Sequence, residues 1–77
     1  MAANFGEILA DLYASEINAR ISWFWDDGFE LTLGDDLNGI VAETTVRTIP
    51  AAAEWLVNMA LQHFPSSQFA SKYGFVT

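Results

Sequence analysis

The chain has 77 residues, which is enough for one small hydrophobic core but not for two. Hydrophobic residues make up 52% of it, and this composition excludes intrinsic disorder despite a formal net charge of -7. It contains no cysteine, so neither disulfide bonds nor thiolate–zinc sites contribute to its stability or its chemistry.

The charge balance excludes two classes of partner. Ten acidic residues stand against three basic ones, Arg20, Arg47 and Lys72, so the chain lacks the basic surface that binds nucleic acid or anionic lipid directly.

No segment approaches the ~20 apolar residues that cross a bilayer. The N-terminal segment "MAANFGEILADLY" has no basic region and carries acids within its apolar run, unlike a signal peptide. We therefore expect a cytoplasmic protein with no membrane partner.

The first predicted element is a helix over about residues 5–17. Asn4 is its expected cap, and Glu7 three residues later completes a capping box. The apolar residues that follow recur at helical spacing and indicate a buried stripe. Its members are Phe5, Ile8, Leu9 and Leu12.

Two strands with a period of two follow, because "ISWFW" and "FELTL" flank the turn "DDG". A two-residue turn at positions 27–28 would leave both faces of the hairpin mixed. A three-residue loop over 26–28 instead pairs Trp25 with Phe29 and Trp23 with Leu31, and it places the apolar residues on one face. That face would hold Ile21, Trp23, Trp25, Phe29, Leu31 and Leu33. We predict the three-residue loop, with Trp23 buried against the helices.

The remaining elements follow in order. After the turn "GDDLNG", residues 40–46 predict a third strand, whose inward face is either that of Ile40 and Ala42 or that of Val41. A second helix is predicted over about 49–64, with Thr48 as its cap. The segment at 67–73 predicts a short terminal helix that is capped by Ser66.

These elements predict one α+β domain over residues 1–77, with strands at about 20–25, 29–33 and 40–46. We expect a two-layer sandwich of α-β-β-β-α order, in which two helices cover one face of a three-stranded antiparallel meander. The order resembles that of double-stranded-RNA-binding domains in topology and size. Those domains need lysines at the start of the last helix. Here that helix starts "TIPAAAEWL", with Glu54 and no base, so we expect no RNA binding.

The residue patterns predict no catalytic, cofactor or metal site. The aspartate pairs at 26–27 and 35–36 should lie at opposite ends of the second strand, roughly 20 Å apart at ~3.3 Å per residue. "GDDLNG" fails as a calcium loop because Gly34 and Thr45 stand where carboxylates are needed. His63 is the one candidate base, and we expect it to be structural, with Glu16 as a geometrically feasible partner.

The predicted fold leaves the second face of the sheet open. On it, Phe24 would be an exposed aromatic next to Glu30 and Thr32, while Trp55 would lie on a flank of the second helix. We predict that these four residues bind protein. The sequence thus favours a non-enzymatic interaction module whose partner is another protein or a second copy. The alternative is an acidic inhibitor of a nucleic-acid enzyme, in the manner of anti-restriction and anti-CRISPR proteins, and an enzyme ranks third.

Overall fold

The fold follows the predicted α-β-β-β-α order, and the short terminal helix predicted at 67–73 is present. A computed structural model describes residues 4–74. Its elements are α1 (Phe5–Ala14), β1 (Ala19–Phe24), β2 (Gly28–Asp35), β3 (Gly39–Val46), α2 (Ile49–His63) and α3 (Gln68–Tyr73). The strands form one antiparallel meander in the order β1-β2-β3, which confirms the predicted α+β class.

The helix starts are determined by local side-chain chemistry. The Asn4 side chain accepts a hydrogen bond from the Glu7 backbone N–H at 2.8 Å, and the Glu7 carboxylate accepts from the Asn4 backbone N–H, so the predicted capping box is present. Thr48 caps α2 as predicted, by accepting a hydrogen bond from the Ala51 backbone N–H. The cap of α3 is Ser67 rather than the predicted Ser66.

Helix α1 ends at Ala14, three residues before the predicted end. The chain leaves the helix through a Schellman turn, in which the Glu16 N–H donates to the Tyr13 carbonyl and the Ile17 N–H donates to the Leu12 carbonyl. Glu16 adopts the left-handed conformation, with φ of 61°, that this turn usually gives to glycine. The turn stops the helix early because it buries Ile17, which is only 7% exposed, in the core.

The strained turn gives a stability prediction. Glu16→Gly is expected to raise the free energy of unfolding by about 1 kcal/mol, because glycine adopts a positive φ without the penalty that a Cβ imposes. Urea unfolding followed by circular dichroism measures the change. Glu16→Ala is the matched control: it also removes a negative charge near the negative end of the α1 dipole, but it keeps the Cβ. Equal gains in the two variants would contradict the strain account.

The β1–β2 register differs from the predicted one by two residues. Trp23 pairs with Phe29, whereas the sequence predicted a Trp23–Leu31 pair, and Trp25 lies in the turn. The cause is Gly28, which has φ of 97° and belongs to β2 rather than to the loop. A Cβ at position 28 would lie 2.5 Å from the Val46 carbonyl oxygen, so β3 can approach this end of β2 only at a glycine.

The core forms where the helices cover one face of the sheet. Helix α2 lies over β2 and β3 and also contacts α1 and α3. On the covered face of β2, Leu31 and Leu33 are completely buried, while Glu30 on the opposite face is exposed. The buried apolar residues are Ile8, Leu12, Ile17, Leu31, Leu33, Ala52, Leu56, Ala60, Phe69 and Ala70.

The prediction that Trp23 is buried against the helices is wrong. Its side chain is 64% exposed, although it points to the covered face as the alternation requires. The reason is that α2 lies over β2 and β3, so the hairpin end of β1 extends past the helical layer. Trp23 contacts the Phe29 ring at a centroid distance of 6.3 Å, and Trp25 in the turn is 93% exposed.

Candidate protein-binding surface

The uncovered face of the sheet consists of rows of residues that face each other across the three strands. Arg20 pairs with Thr32, and Thr32 pairs with Glu43; Ser22 pairs with Glu30 in the next row. Directly paired residues point to the same side of an antiparallel sheet, so the rows form a continuous surface. We call it the open face, and its residues are Arg20, Ser22, Phe24, Glu30, Thr32, Glu43, Thr45 and Arg47.

The third strand contributes alternate residues to this face. Ala42 and Thr44, which pair with Leu33 and Leu31, point to the core and are half-buried. Glu43, between them, is exposed on the open face. Of the two alternatives that the sequence left open, neither holds as a whole: Ala42 lies inward, but the pairing shifts between Leu33 and Gly34, so that Ile40 pairs with Gly34 and does not share the face of Ala42.

On the open face, Gly28 lies between the aromatic side chain of Phe24 and the cationic side chain of Arg47. Phe24 is 65% exposed and pairs with Gly28. On the far side of Gly28, the Cδ atom of Arg47 lies 3.3 Å from the position that a Cβ would occupy, so its aliphatic stem lies over the glycine. The Arg47 guanidinium reaches the hairpin turn, where Nη1 donates to the Asp26 carbonyl oxygen at 3.5 Å. Phe24 and Arg47 therefore belong to one row of the open face, with the aliphatic stem of Arg47 over the glycine between them.

The charges on the open face are balanced. Arg20 and Arg47 offset Glu30 and Glu43, so this surface holds two of the three basic residues of a chain whose net charge is -7. Ser22 Oγ donates a long hydrogen bond of 3.4 Å to Glu30. The remaining acids lie on the helices and in the turns. The open face is thus less acidic than the turns at the two ends of the sheet.

A shallow groove crosses the middle of the open face between β2 and β3. Its volume is about 240 Å³, and it is lined by Glu30, Leu31, Thr32, Glu43, Thr44 and Thr45. Pockets that hold small molecules are larger, at ≈ 300–1,000 Å³, and mostly apolar. The groove is open, small and polar, so the surface suits a protein contact better than a small-molecule site.

The two aspartate pairs lie at opposite ends of β2, as predicted, because each belongs to a different hairpin turn. Asp35 organises the second turn: its carboxylate accepts hydrogen bonds from the Leu37 and Asn38 backbone N–H groups and from the Asn18 amide. These bonds hold the pKa of Asp35 below its usual value, with the Asn38 N–H as the largest cause. The role of this carboxylate is therefore structural.

A second carboxylate ties α3 to α1. Asp11 accepts hydrogen bonds from the Lys72 ammonium at 2.8 Å and from the Tyr73 hydroxyl, and the Lys72 bond is the largest cause of its lowered pKa. Burial, followed by the hydrogen bond to Asp11, raises the pKa of Tyr73 to about 12. The Tyr73 ring also stacks on Phe69 at 4.2 Å, so this cluster anchors the third helix onto the core.

The candidate base, His63, is not paired with an acidic side chain within residues 4–74. His63 is exposed in the last turn of α2, and Glu16 is exposed beyond the end of α1. Within residues 4–74 no hydrogen bond or ion pair joins them, so the pairing considered from the sequence is wrong. In the same residues, no three histidine or acidic side chains come together as metal ligands do.

Three of the four predicted binding residues share one surface. Phe24 and Glu30 are exposed on the open face, and Thr32 is half-buried at the groove between them and Glu43. Trp55 is half-buried against the core on α2, in the other layer, so the structure does not bring it together with the rest.

Sequence reasoning missed part of the open face. It did not assign Arg20 and Arg47 to a binding site, and it left the orientation of β3, and with it Glu43, undecided. The signal for Arg20 was present, since it lies at even spacing from Ser22 and Phe24 in β1. Arg47 lies one residue past the last residue of β3, where a strand pattern no longer indicates the side-chain direction.

None of the helices within residues 4–74 has the length and hydropathy needed to span a bilayer. Comparison of the chain with protein-family models, with curated proteins and with solved structures found no match in any of the three.

Proposed function

We propose that this protein is a non-enzymatic cytoplasmic module that binds another protein, or a second copy of itself, through the open face. The observation that carries the proposal is Phe24, a large aromatic side chain that is 65% exposed at one end of a polar surface with balanced charge. Interface hot spots are enriched in aromatic and arginine side chains that a rim of polar groups shields from water. Phe24 and Arg47 fit the first description, and the threonines and glutamates of the open face fit the second.

The second candidate function is that of an acidic inhibitor that occupies the basic groove of a nucleic-acid enzyme. The net charge of -7 favours it, since such a groove attracts a polyanion over a long range. A decoy needs carboxylates that form one connected field, as phosphates do. Here the acids are dispersed: Asp11 is bonded to α3, Asp35 is bonded within its turn, and the cations Arg20 and Arg47 interrupt the open face. This dispersal favours the interaction module.

The effect of substituting Phe24 distinguishes the two candidate functions. We expect Phe24→Ala to weaken partner binding by roughly tenfold or more, because it removes the anchor. Asp26→Asn combined with Asp27→Asn should weaken it less. Tagged wild-type and variant proteins would be used to capture partners from a host lysate, with quantification by mass spectrometry. The affinity for the identified partner would then be titrated at low and high salt, and the module predicts a mild salt dependence.

Leu37→Ala provides the matched control. Leu37 is 92% exposed in the β2–β3 turn, at the opposite end of the sheet, so its removal deletes exposed apolar surface without touching the open face. Binding should remain unchanged. A steep loss of affinity with salt, together with a dominant effect of the aspartate substitutions, would overturn the module in favour of the inhibitor.

A further inference from the structure

Along β1, one edge of the sheet has backbone groups that no other strand of residues 4–74 pairs with. The Asn18 carbonyl accepts from the Gly34 N–H at 2.7 Å, and the Phe24 carbonyl accepts from the Asp27 N–H, so both carbonyls are directed toward β2 and its turn. Bonded residues alternate in an antiparallel pair. Consequently the N–H and C=O groups of Ala19, Ile21 and Trp23 are directed away from β2, toward the outer edge.

Within residues 4–74, no strand pairs with this outer side of β1. Five of its six residues are exposed, and only Ile21 is half-buried. Proteins usually protect an edge with a bulge, a proline or an edge lysine. The other edge strand, β3, has an irregularity where its pairing shifts between Leu33 and Gly34, but β1 is regular throughout, has neither proline nor lysine, and carries Arg20 as its single charged side chain. The edge is therefore ready to accept another strand.

The sequence of β1 is complementary to itself about Ser22. Arg20 and Phe24 flank Ser22 at equal distance on the open face, and Ile21 and Trp23 flank it on the other face. We propose that β1 pairs antiparallel with β1 of a second copy, with the two Ser22 residues facing each other on the two-fold axis. Each Arg20 then lies opposite the second copy's Phe24, and each Ile21 opposite the second copy's Trp23.

This register provides hydrogen-bond partners for the outward backbone groups of β1 and contacts for its exposed side chains. The outward groups of Ile21 and Trp23 form hydrogen-bonded pairs, as the alternation at this edge requires. Trp23, which is 64% exposed in one copy, gains an aliphatic neighbour across the interface. The Arg20 guanidinium meets an aromatic ring, a contact that is favourable even at exposed sites.

Charge selects the antiparallel orientation of the two strands. Arg20 lies at the start of β1, while Asp26 and Asp27 follow its end. In an antiparallel pair about Ser22, Asp26 of the second copy lies opposite Asn18, two residues from Arg20. Arg20 therefore offsets the negative charge of that turn and of Asp35, which accepts from the Asn18 amide. A parallel pair would instead place the two acidic turns side by side and cost free energy. The strand therefore fits a second copy of this chain in one orientation.

The pairing would join two three-stranded sheets into one and make the two open faces continuous, with both Phe24 side chains near the axis. It uses the backbone edge of β1, with Arg20, Ser22 and Phe24 at the border of the open face, and it leaves the β2 and β3 part of that face uncovered. It therefore goes beyond the proposed function and stands whether or not the open face binds another protein. Loss of lysate partners in the Phe24→Ala experiment tests only the proposed function, since the experiments below use the purified chain alone.

A single introduced cysteine tests the register, because the chain has no cysteine of its own. Facing residues of a non-hydrogen-bonded antiparallel pair have Cα atoms ≈ 4.5 Å apart, which lies within the range that a disulfide spans. In a glutathione redox buffer, two Ser22→Cys thiols lose two electrons and two protons to oxidised glutathione and form a covalent dimer. We expect nearly complete cross-linking of Ser22→Cys, measured by non-reducing electrophoresis.

The controls lie on the same face. Arg20→Cys lies opposite position 24 of the second copy, and Thr45→Cys lies on β3, so neither should cross-link with itself to a comparable extent. All three positions are exposed, so the fold should tolerate each substitution, and circular dichroism checks this. Cross-linking of Ser22→Cys no greater than that of Thr45→Cys would overturn the proposal.

Sedimentation of the unmodified chain gives the second measurement. It should run at physiological ionic strength, because chains of net charge -7 repel each other when salt is low. We expect a concentration-dependent dimer that Ser22→Lys weakens by about tenfold or more, since it places two like charges on the axis. Thr45→Lys changes the net charge equally and should leave the dimer intact. A monomer up to millimolar concentration, or equal effects of the two lysines, would overturn the inference.

Discussion

Phe69→Ala is expected to lower the free energy of unfolding by about 3–5 kcal/mol. Phe69 is 1% exposed, packs in the core beside Leu56 and stacks on Tyr73. Truncation of a buried phenylalanine costs about 3–5 kcal/mol. A chain of 77 residues has a total stability of roughly 4–12 kcal/mol at ~0.05–0.15 kcal/mol per residue. The substitution thus removes a large part of the free energy of unfolding, and urea unfolding monitored by circular dichroism measures the loss.

Trp23→Ala is the control for this experiment, and it removes the larger side chain. Because Trp23 is 64% exposed and contacts mainly Phe29, its truncation should cost about 0.5–1.5 kcal/mol, as for an aromatic pair. If Trp23→Ala destabilised the chain more than Phe69→Ala, the placement of the helical layer over β2 and β3 would be wrong.

The starts of α1 and α2 were predictable because they depend on residues three positions apart. Asn4 with Glu7, and Thr48 with the first turn of α2, act through hydrogen bonds that the sequence alone specifies. The early end of α1 was not predictable in this way. It depends on Ile17 reaching the core, and the chain accepts a left-handed Glu16 to place it there.

The open face was predictable from alternation, but the β1–β2 register was not. A shift of two residues keeps every side chain on the same face, so the separation of apolar from polar residues does not distinguish the two registers. The separation of apolar from polar residues therefore predicted the correct face for Glu30 and Thr32 but the wrong partner for Trp23. What distinguishes the registers is the close approach of the Val46 carbonyl to Gly28, which involves a strand 18 residues away in the chain.

Whether a side chain on the covered face of the sheet is exposed depends on how far the helical layer extends, and the alternation of side chains along a strand does not specify this. Trp23 points toward the covered face but lies beyond the helices, whereas Phe69 of the short α3 is buried because the Asp11 hydrogen bonds hold that helix against α1. No pattern in either segment specifies where a neighbouring element stops. This is why the sequence assigned Trp23 to the core and did not predict the burial of Phe69 within the predicted terminal helix, and why the exposed hairpin end of β1 emerges only from the fold.

Gly34→Ala is expected to disrupt the β2–β3 hairpin. Gly34 has φ of 99°, and a Cβ at this position would lie 2.4 Å from the Gly39 carbonyl oxygen and 3.0 Å from both the Ile40 Cα and the Val41 nitrogen. All three atoms belong to the backbone, so no side-chain rotation relieves the contact. The strain of a positive φ adds about 1–2 kcal/mol, and the overpacking adds ~1–3 kcal/mol. Urea unfolding should therefore show a loss of about 2–5 kcal/mol.

Gly39→Ala separates the two causes, because Gly39 has a similar φ of 108° but no atom within 4 Å of the Cβ position. Its alanine variant should lose only the conformational part, about 1–2 kcal/mol. The difference between the variants then measures how tightly β3 is held against β2 at the irregularity between Leu33 and Gly34. Since that irregularity sets the register of β3, and with it the orientation of Glu43 and Thr45, Gly34→Ala should also weaken any binding by the open face, whereas Gly39→Ala should not. Equal losses of stability in the two variants would show that the turn adjusts to a side chain at position 34.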